Sequence, residues 1–194
     1  MRQLLQAHPG VEGEYGLIEL MDNNPLVCAD KASTPGAAAT LALIAFGPLA
    51  RAGILIERPN ALFSFEGDYD EVDRALQTEG WNEGVTCAGD PLDLGTVLSG
   101  TFLALTKADN QEEIDDLFHE SYSRSFFVRQ TEMQKLHPDN VKGKHHAEFA
   151  TSLSPEGILR IQVLADANGK CGASQMAHML NVMACFEEDA GLSK

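Results

Sequence analysis

Cys171 stands in a sequence context that can activate a thiol. It follows Lys170 and precedes an apolar stretch from Ala173 that has the pattern of a helix. A neighbouring ammonium and a helix N-terminus both lower the pKa of a cysteine, and the thiolate is the nucleophilic form. A catalytic nucleophile is therefore one interpretation of Cys171. The commoner alternative is a buried thiol that only packs at the helix start.

A second candidate site lies where an apolar helix is predicted to begin. Ser33 and Thr34 offer hydroxyl N-caps just before a proline and the helix predicted over 37–52. The free N–H groups of a helix N-terminus bind carboxylate or phosphate. Ser33, Thr34, Gly36 and Ala37 are therefore candidate residues for binding a small anion. A plain hydroxyl cap is the alternative interpretation, and both can hold together.

Lys142, Lys144, His145 and His146 form the densest basic cluster of the chain. One interpretation is an anion-binding patch. The other is a solvated strand edge, on which lysines discourage pairing with a further strand. His145 and His146 point apart if they lie on a strand, and the sequence has no zinc-type or calcium-loop spacing. We therefore expect no dedicated metal site.

The composition is that of a globular domain with a strongly acidic balance. Of 194 residues, 44% are hydrophobic and 22% charged, and 14 Lys and Arg against 29 Asp and Glu give a net charge of −15. Such a charge repels nucleic acid and anionic membranes, so neither is expected as a partner. The sequence shows no apolar run of ~18 residues and no secretory signal core. We expect a soluble, cytoplasmic protein.

The local patterns predict an irregular lead-in over 1–14 and one domain over 15–194. A short strand is predicted over 25–30. The helix over 37–52 is apolar on all sides and is therefore expected to be buried on more than one face. Pro48 lies inside this helix and predicts a kink or a break, because proline has no N–H for the helical hydrogen bond.

The remaining patterns predict an α+β fold. Strands are predicted over 54–65, 96–107, 126–128, 146–153 and 158–164, and helices over 70–79, 110–122 and 173–187. Ser154-Pro-Glu-Gly157 indicates a hairpin between the last two strands. We predict a mixed, largely antiparallel sheet covered by helices. No G-x-G-x-x-G follows a predicted strand, so no nucleotide-binding Rossmann half is expected.

Five stretches carry a family resemblance: Tyr15–Leu20, Gly47–Gly53, Glu112–Arg129, Val141–Gly143 and Asp166–Met183. In this order they are similar to stretches of the N-acetyl-gamma-glutamyl-phosphate reductases, which are aspartate-semialdehyde-dehydrogenase-like enzymes. The resemblance implies the fold of the C-terminal, GAPDH-like domain of semialdehyde dehydrogenases. It covers the catalytic and dimerisation part only, so the N-terminal Rossmann domain is expected to be lacking.

Two departures from the family pattern affect the chemistry. The family nucleophile lies in an Asn-Pro-Gly-Cys loop, and the matching residues here end in Ala37. An alanine methyl group cannot form a thioacyl intermediate. The family's catalytic histidine lies in a His- and Arg-rich loop, whereas the matching region 67–84 has no histidine. The resemblance also places Lys142 where an arginine helps to hold an anionic substrate group.

These observations predict a catalytically degenerate protein that binds a small anionic, N-acyl amino acid-like ligand or acts as an oligomerising scaffold. The expected ligand-binding residues are Ser33, Thr34, Gly36, Ala37, Lys142, His145 and Lys170. The alternatives are a reductase subunit completed by a separate nucleotide-binding chain, and acyl transfer through Cys171. No cofactor is expected, and NADP only where a partner supplies the nucleotide domain.

The helix predicted over 173–187 bears a wide apolar face, made of Met176, Met179, Leu180, Met183 and Phe186. Burying these side chains is worth on the order of 10 kcal/mol. An exposed patch of this kind marks an interface. We therefore expect a homo-oligomer, a dimer or larger, or a protein partner on this helix. The alternative is that residues 1–14 fold across the face. His178 in this helix is interpreted as a packing histidine.

Overall fold

A computed structural model describes residues 2–21 and 23–192 of the chain. The first elements form a small parallel sheet in the order β1-β3-β2, with β1 at Gln3–Gln6, β2 at Glu14–Tyr15 and β3 at Lys31–Thr34. A one-turn 3-10 helix at Ile18–Leu20 and helix α1, Asn23–Cys28, lie between β2 and β3. The predicted irregular lead-in thus contains a paired strand, and the strand predicted over 25–30 is wrong. Alternation of apolar residues there was too short to separate helix from strand.

Helix α2, Ala37–Arg51, is buried on all sides as predicted, but it continues through Pro48 without a break. Pro48 cannot donate to the carbonyl of Ile44 four residues earlier. The buried hydroxyl of Tyr122 donates to that carbonyl instead, at 3.1 Å. The helix therefore keeps its course because a side chain from elsewhere supplies the missing donor. Gly53, with φ +64, ends it.

The main sheet has six strands in the order β5-β4-β6-β9-β8-β7. Its strands are β4 Asn60–Phe63, β5 Thr86–Gly89, β6 Val97–Leu105, β7 Val128–Gln130, β8 Ala147–Leu153 and β9 Ile158–Asp166. The four central strands pair antiparallel, and β5 and β7 pair parallel with their neighbours. The predicted α+β class with a largely antiparallel sheet is confirmed. The predicted strand over 126–128 starts only at Val128.

Four helices complete the fold: α3 Asp70–Gln77, α4 Gln111–Tyr122, α5 Pro138–Val141 and α6 Ala173–Met183. Helix α2 packs on one face of the sheet, with α3 and α4 beside it. On the opposite face, Leu62, Leu103 and Ile158 remain 41–47% exposed. None of the helices in the described ranges has the length and apolar character needed to cross a membrane.

Helix α6 is shorter than predicted, because it ends at Met183 and the backbone turns back at Cys185 with φ +59. Met179 and Met183 are fully buried. They pack against apolar side chains from β1 to β3, among them Ile18, Leu26 and Ala32. The chain's own N-terminal segment thus covers Met179 and Met183, and this agrees in part with the alternative that residues 1–14 fold across the face, since Leu4 is among the covering residues. A partner on this helix remains a prediction. Leu180 and Phe186 stay exposed.

Candidate functional site

The segment Ser33–Ala37, which we call the α2 entrance, links β3 to α2. Strand β3 ends at Thr34, and the first helical residue is Ala37. Gly36 is the N-cap and has no side chain with which to satisfy the helix. The strand therefore leads directly into a buried helix. The first amides of this helix need hydrogen-bond acceptors from other parts of the chain.

Glu71, in the first turn of α3, supplies an acceptor for the first of these amides, that of Gly36. The Gly36 N–H donates to both carboxylate oxygens of Glu71, at 3.1 and 3.2 Å. The Tyr15 hydroxyl donates to Glu71 Oε1 at 2.8 Å. Burial first, and then the Glu71 charge, raises the pKa of Tyr15. A Cβ at position 36 would lie 2.5 Å from Glu71 Oε2, so this approach requires glycine. An internal carboxylate thus holds the position predicted for an external anion.

The two hydroxyls of the α2 entrance do not cap the helix. Ser33 Oγ accepts a hydrogen bond from the backbone N–H of His8 at 3.1 Å. Thr34 Oγ1 is buried and has no hydrogen-bond partner among the described residues. The predicted hydroxyl cap is therefore wrong. The reason is that β1 pairs with β3. The chain near His8 therefore lies against Ser33, and the His8 N–H bonds to the Ser33 hydroxyl.

Gln175, in the first turn of α6, is a member of the site that sequence reasoning missed. Its Nε2 donates to the carbonyl of Pro35 at 3.0 Å and to Thr40 Oγ1 at 3.1 Å, while its buried Oε1 has no partner among the described residues. The side chain joins the last helix to the α2 entrance across 140 positions. Nothing local in the sequence indicates such a contact.

Cys171 is not an activated thiol in this fold. Its side chain is buried, and burial raises its pKa to about 12, against the lowering effect of Lys170. The Lys170 ammonium does not face the sulfur as an activating partner, because it donates to both oxygens of Glu19 at 2.6 and 2.7 Å. The buried position favours the packing interpretation of Cys171 over the nucleophile, since the neighbouring ammonium is paired with Glu19.

Glu19, Lys170 and His178 form a buried charge cluster, with side chains 1–4% exposed. His178 Nε2 lies 3.1 Å from Glu188 Oε2, and its Nδ1 lies 3.8 Å from Glu19 Oε1. Burial alone raises the pKa of Glu19, but the charge of Lys170 holds it below its usual value. Lys170 is thus an internal ion-pair partner, which corrects its prediction as a ligand-binding residue. His178 packs on the Phe127 ring, 4.3 Å away, and is also part of this cluster.

The remaining predicted ligand residues are not joined to the α2 entrance by any described contact. Lys142 is exposed on the turn after α5. His145 Nδ1 lies 2.7 Å from Ser174 Oγ at the start of α6. Burial first, and then the neighbouring Arg129 charge, lowers the pKa of His146. Of the predicted set, only Ser33, Thr34, Gly36 and Ala37 lie together. Ligand binding by this set remains a prediction.

The described side chains offer no metal centre, since no group of three or more His, Cys, Asp or Glu within residues 2–21 and 23–192 could hold an ion.

Comparison with known proteins finds sequence similarity to N-acetyl-gamma-glutamyl-phosphate reductases and structural similarity to aspartate semialdehyde dehydrogenases. No family model matches the chain. It is 24% identical to N-acetyl-gamma-glutamyl-phosphate reductase of Bacillus anthracis (strain CDC 684 / NRRL 3495), over 93% of this chain and 62% of the relative. The same enzyme of Bacillus cereus (strain ATCC 10987 / NRS 248) is 25% identical, over 92% and 61%. The chain thus spans about three fifths of the length of these relatives.

Solved structures agree on the fold. Aspartate semialdehyde dehydrogenase II of Vibrio cholerae, complexed with ASA, superposes with a TM-score of 0.65 at 12% identity, over 92% of this chain and 67% of that one. A second structure of this enzyme gives a TM-score of 0.62 at 11% identity, over 88% and 68%. The resemblance predicted from the sequence is confirmed: the chain is a relative of the N-acetyl-gamma-glutamyl-phosphate reductases, similar to part of their length, with the fold of a semialdehyde dehydrogenase.

Proposed function

We propose that this chain is a catalytically degenerate reductase-like protein that acts as a homodimeric scaffold. The observation that carries the proposal is the Glu71 carboxylate bound to the Gly36 amide, directly beside Ala37. This carboxylate occupies the Gly36 amide and places a negative charge at the helix N-terminus, which disfavours binding of a substrate phosphate or carboxylate there. An anionic, N-acyl amino acid-like ligand would have to displace Glu71 in order to bind here.

The thiols of the chain give further support. Acyl transfer needs a thiolate that can reach the acyl carbon. Burial raises the pKa of Cys87 to about 11 and that of Cys171 to about 12, so neither ionises readily near neutral pH. The exposed thiols, Cys28 and Cys185, lie at the end of α1 and beyond the end of α6. None of the four replaces the sulfur that Ala37 lacks.

The scaffold part of the proposal depends on the open face of the six-stranded sheet. Leu62, Leu103 and Ile158 lie on neighbouring strands β4, β6 and β9, on the face opposite α2. Exposed apolar side chains gathered on one flat face favour association with a second such face. This face is a better candidate for self-association than α6, whose Met179 and Met183 are covered from within the chain.

The proposal is tested by the intact mass of the chain after incubation with N-acetyl-gamma-glutamyl phosphate. In acyl transfer, a thiolate attacks the acyl carbon, phosphate leaves, and the protein gains the mass of the acyl group. The Bacillus cereus relative serves as the positive control. We expect no stoichiometric adduct on this chain. An adduct on one cysteine that is lost in the matching Cys→Ser variant would overturn the proposal. It would then favour acyl transfer or a reductase subunit completed by a nucleotide-binding chain.

A further inference from the structure

A cleft of about 970 Å³ lies beside the buried charge cluster. We call it the Glu19 cleft. Its described walls come from the 3-10 turn with Ile18 and Glu19, from Asn24 and Pro25 of α1, from the chain around the end of α4, and from His178 and Glu188. It shares no lining residue with the α2 entrance. Among the described lining residues, Glu19, Glu120 and Glu188 are carboxylates, and Arg124 alone is a permanent cation.

The imidazole of His178 carries an unused hydrogen-bonding atom beside this cleft. The side chain is 2% exposed, and its Nδ1 is buried without a partner among the described residues. Nε2 faces Glu188 Oε2 at 3.1 Å, and a carboxylate can only accept. The proton therefore belongs on Nε2, and Nδ1 offers a lone pair. Such a buried acceptor without a donor is rare in folded proteins and calls for a physical reason.

Nδ1 and Glu19 Oε1 are 3.8 Å apart, and in this tautomer both are acceptors. One donor atom with several hydrogens can bond to both, at ~2.8 Å from each. Oε1 also accepts from Lys170 Nζ at 2.6 Å and from Ser125 Oγ at 3.4 Å, so a ligand donor would replace the longer of these two bonds. We propose that the Glu19 cleft binds a small ligand through a primary ammonium group that bridges His178 Nδ1 and Glu19 Oε1. Glu188, whose side chain is 43% exposed, forms the outer wall of the cleft.

The charges around the cleft favour an ammonium over other ligands. The positive charge nearest to Glu19 is Lys170, which is already paired with that carboxylate and does not line the cleft. Glu120 and Glu188 then outnumber Arg124, so an anion is repelled. A metal ion is disfavoured because the described residues contain no group of three suitable ligands. This site is independent of the proposed loss of chemistry at the α2 entrance.

Nitrogen-15 NMR of the histidine rings tests the proposal on the intact chain. Methylammonium chloride is the probe, and sodium chloride at equal ionic strength is the control. We expect a saturable shift of the His178 Nδ1 resonance, identified by its absence in His178→Gln, with the exposed rings of His119 and His137 unaffected. Glycine is the second probe, because it carries an ammonium group and also a carboxylate. If this carboxylate reaches Arg124, glycine binds more tightly than methylammonium.

Two matched variants separate binding from a general salt effect. Glu188→Gln removes a carboxylate of the cleft, and we expect it to weaken methylammonium binding about fivefold. Glu187→Gln changes the exposed neighbour, which does not line the cleft, and should leave binding unchanged. The proposal is overturned if neither probe shifts His178 saturably, if sodium chloride produces the same shift, or if the two variants bind alike.

Discussion

Lys170 and Glu19 form a buried ion pair between residues 151 positions apart, with side chains only 1% and 4% exposed. The pair joins the loop before α6 to the 3-10 turn before α1. It therefore ties the last helix to the N-terminal segment that covers its apolar face. The loop lysine that could have activated Cys171 serves instead to hold the two ends of the chain together.

Lys170→Met is expected to lower the free energy of unfolding by about 3–5 kcal/mol, because it leaves the Glu19 charge buried without a partner. The double variant Glu19→Gln, Lys170→Met removes both charges and should recover part of this loss. Urea unfolding of the two variants measures the difference. Equal stabilities for Lys170→Met and the unchanged chain would show that the pair is exposed in solution.

Acidification should destabilise the chain in two steps. Burial lowers the pKa of His178 below 6.5, helped by Lys170 and opposed by Glu19 and Glu188. The unfolded chain then binds the proton more tightly, so stability is complete above pH 6.5 and falls as the pH drops through the folded pKa. Glu19, whose pKa lies below 4.5, adds a second loss under pH 4.5.

The first step is checked by thermal unfolding from pH 7 to pH 5. His178→Gln should flatten the dependence. The pKa of His146 is also lowered, so protonation of this residue destabilises the fold in the same direction as protonation of His178. The variant His146→Gln measures how much of the pH dependence His146 causes. A pH dependence that His178→Gln leaves unchanged would contradict the role of His178.

Much of the fold was predictable because it depends on local patterns. Residues close together in the sequence determine the amphipathic stripe of α4, with Ile114 and Phe118 inward. The same is true of the Pro-Gly turn between β8 and β9. The uninterrupted course of α2 was not predictable in this way. It depends on the hydroxyl of Tyr122, which lies 78 positions from the carbonyl that it satisfies.

The candidate site was predictable only in part, for the same reason. The position of Ala37 at the start of a buried helix followed from the sequence. The occupant of the α2 entrance did not, because Glu71 is one of several acidic residues in the first turn of α3, and only the packing of α3 on α2 selects it. Counting charges in the sequence likewise suggested that the Lys170 ammonium is free to bind a ligand. It could not show that this ammonium pairs with Glu19 in the fold.

Thiol labelling at neutral pH should separate the four cysteines by burial. Cys28 and Cys185 are exposed and should react quickly with a thiol reagent. Cys87 should react more slowly, and Cys171 should react only on unfolding. Mass mapping of labelled peptides over time gives the order. Fast labelling of Cys171 in the folded chain would contradict its burial.

Self-association should depend on the open face of the sheet. Light scattering of the unchanged chain is expected to give twice the 21.0 kDa chain mass. Leu103→Asp places a charge on that face and should give the monomer mass. Phe186→Asp, on the exposed residue beyond α6, should leave the dimer intact. If Phe186→Asp alone dissociates the protein, the interface lies beside α6 instead.

The proposed function depends on the hydrogen bond from the Gly36 amide to the Glu71 carboxylate, and this bond is tested most directly by NMR of that amide. Its proton and nitrogen resonances can be followed by NMR while inorganic phosphate is added, in the unchanged chain and in Glu71→Gln. We expect no saturable shift in the unchanged chain, because the amide already donates to a carboxylate. In Glu71→Gln, which lacks that charge, we expect a saturable shift. A saturable shift of Gly36 in the unchanged chain would show that the entrance is open to anions and would contradict this account.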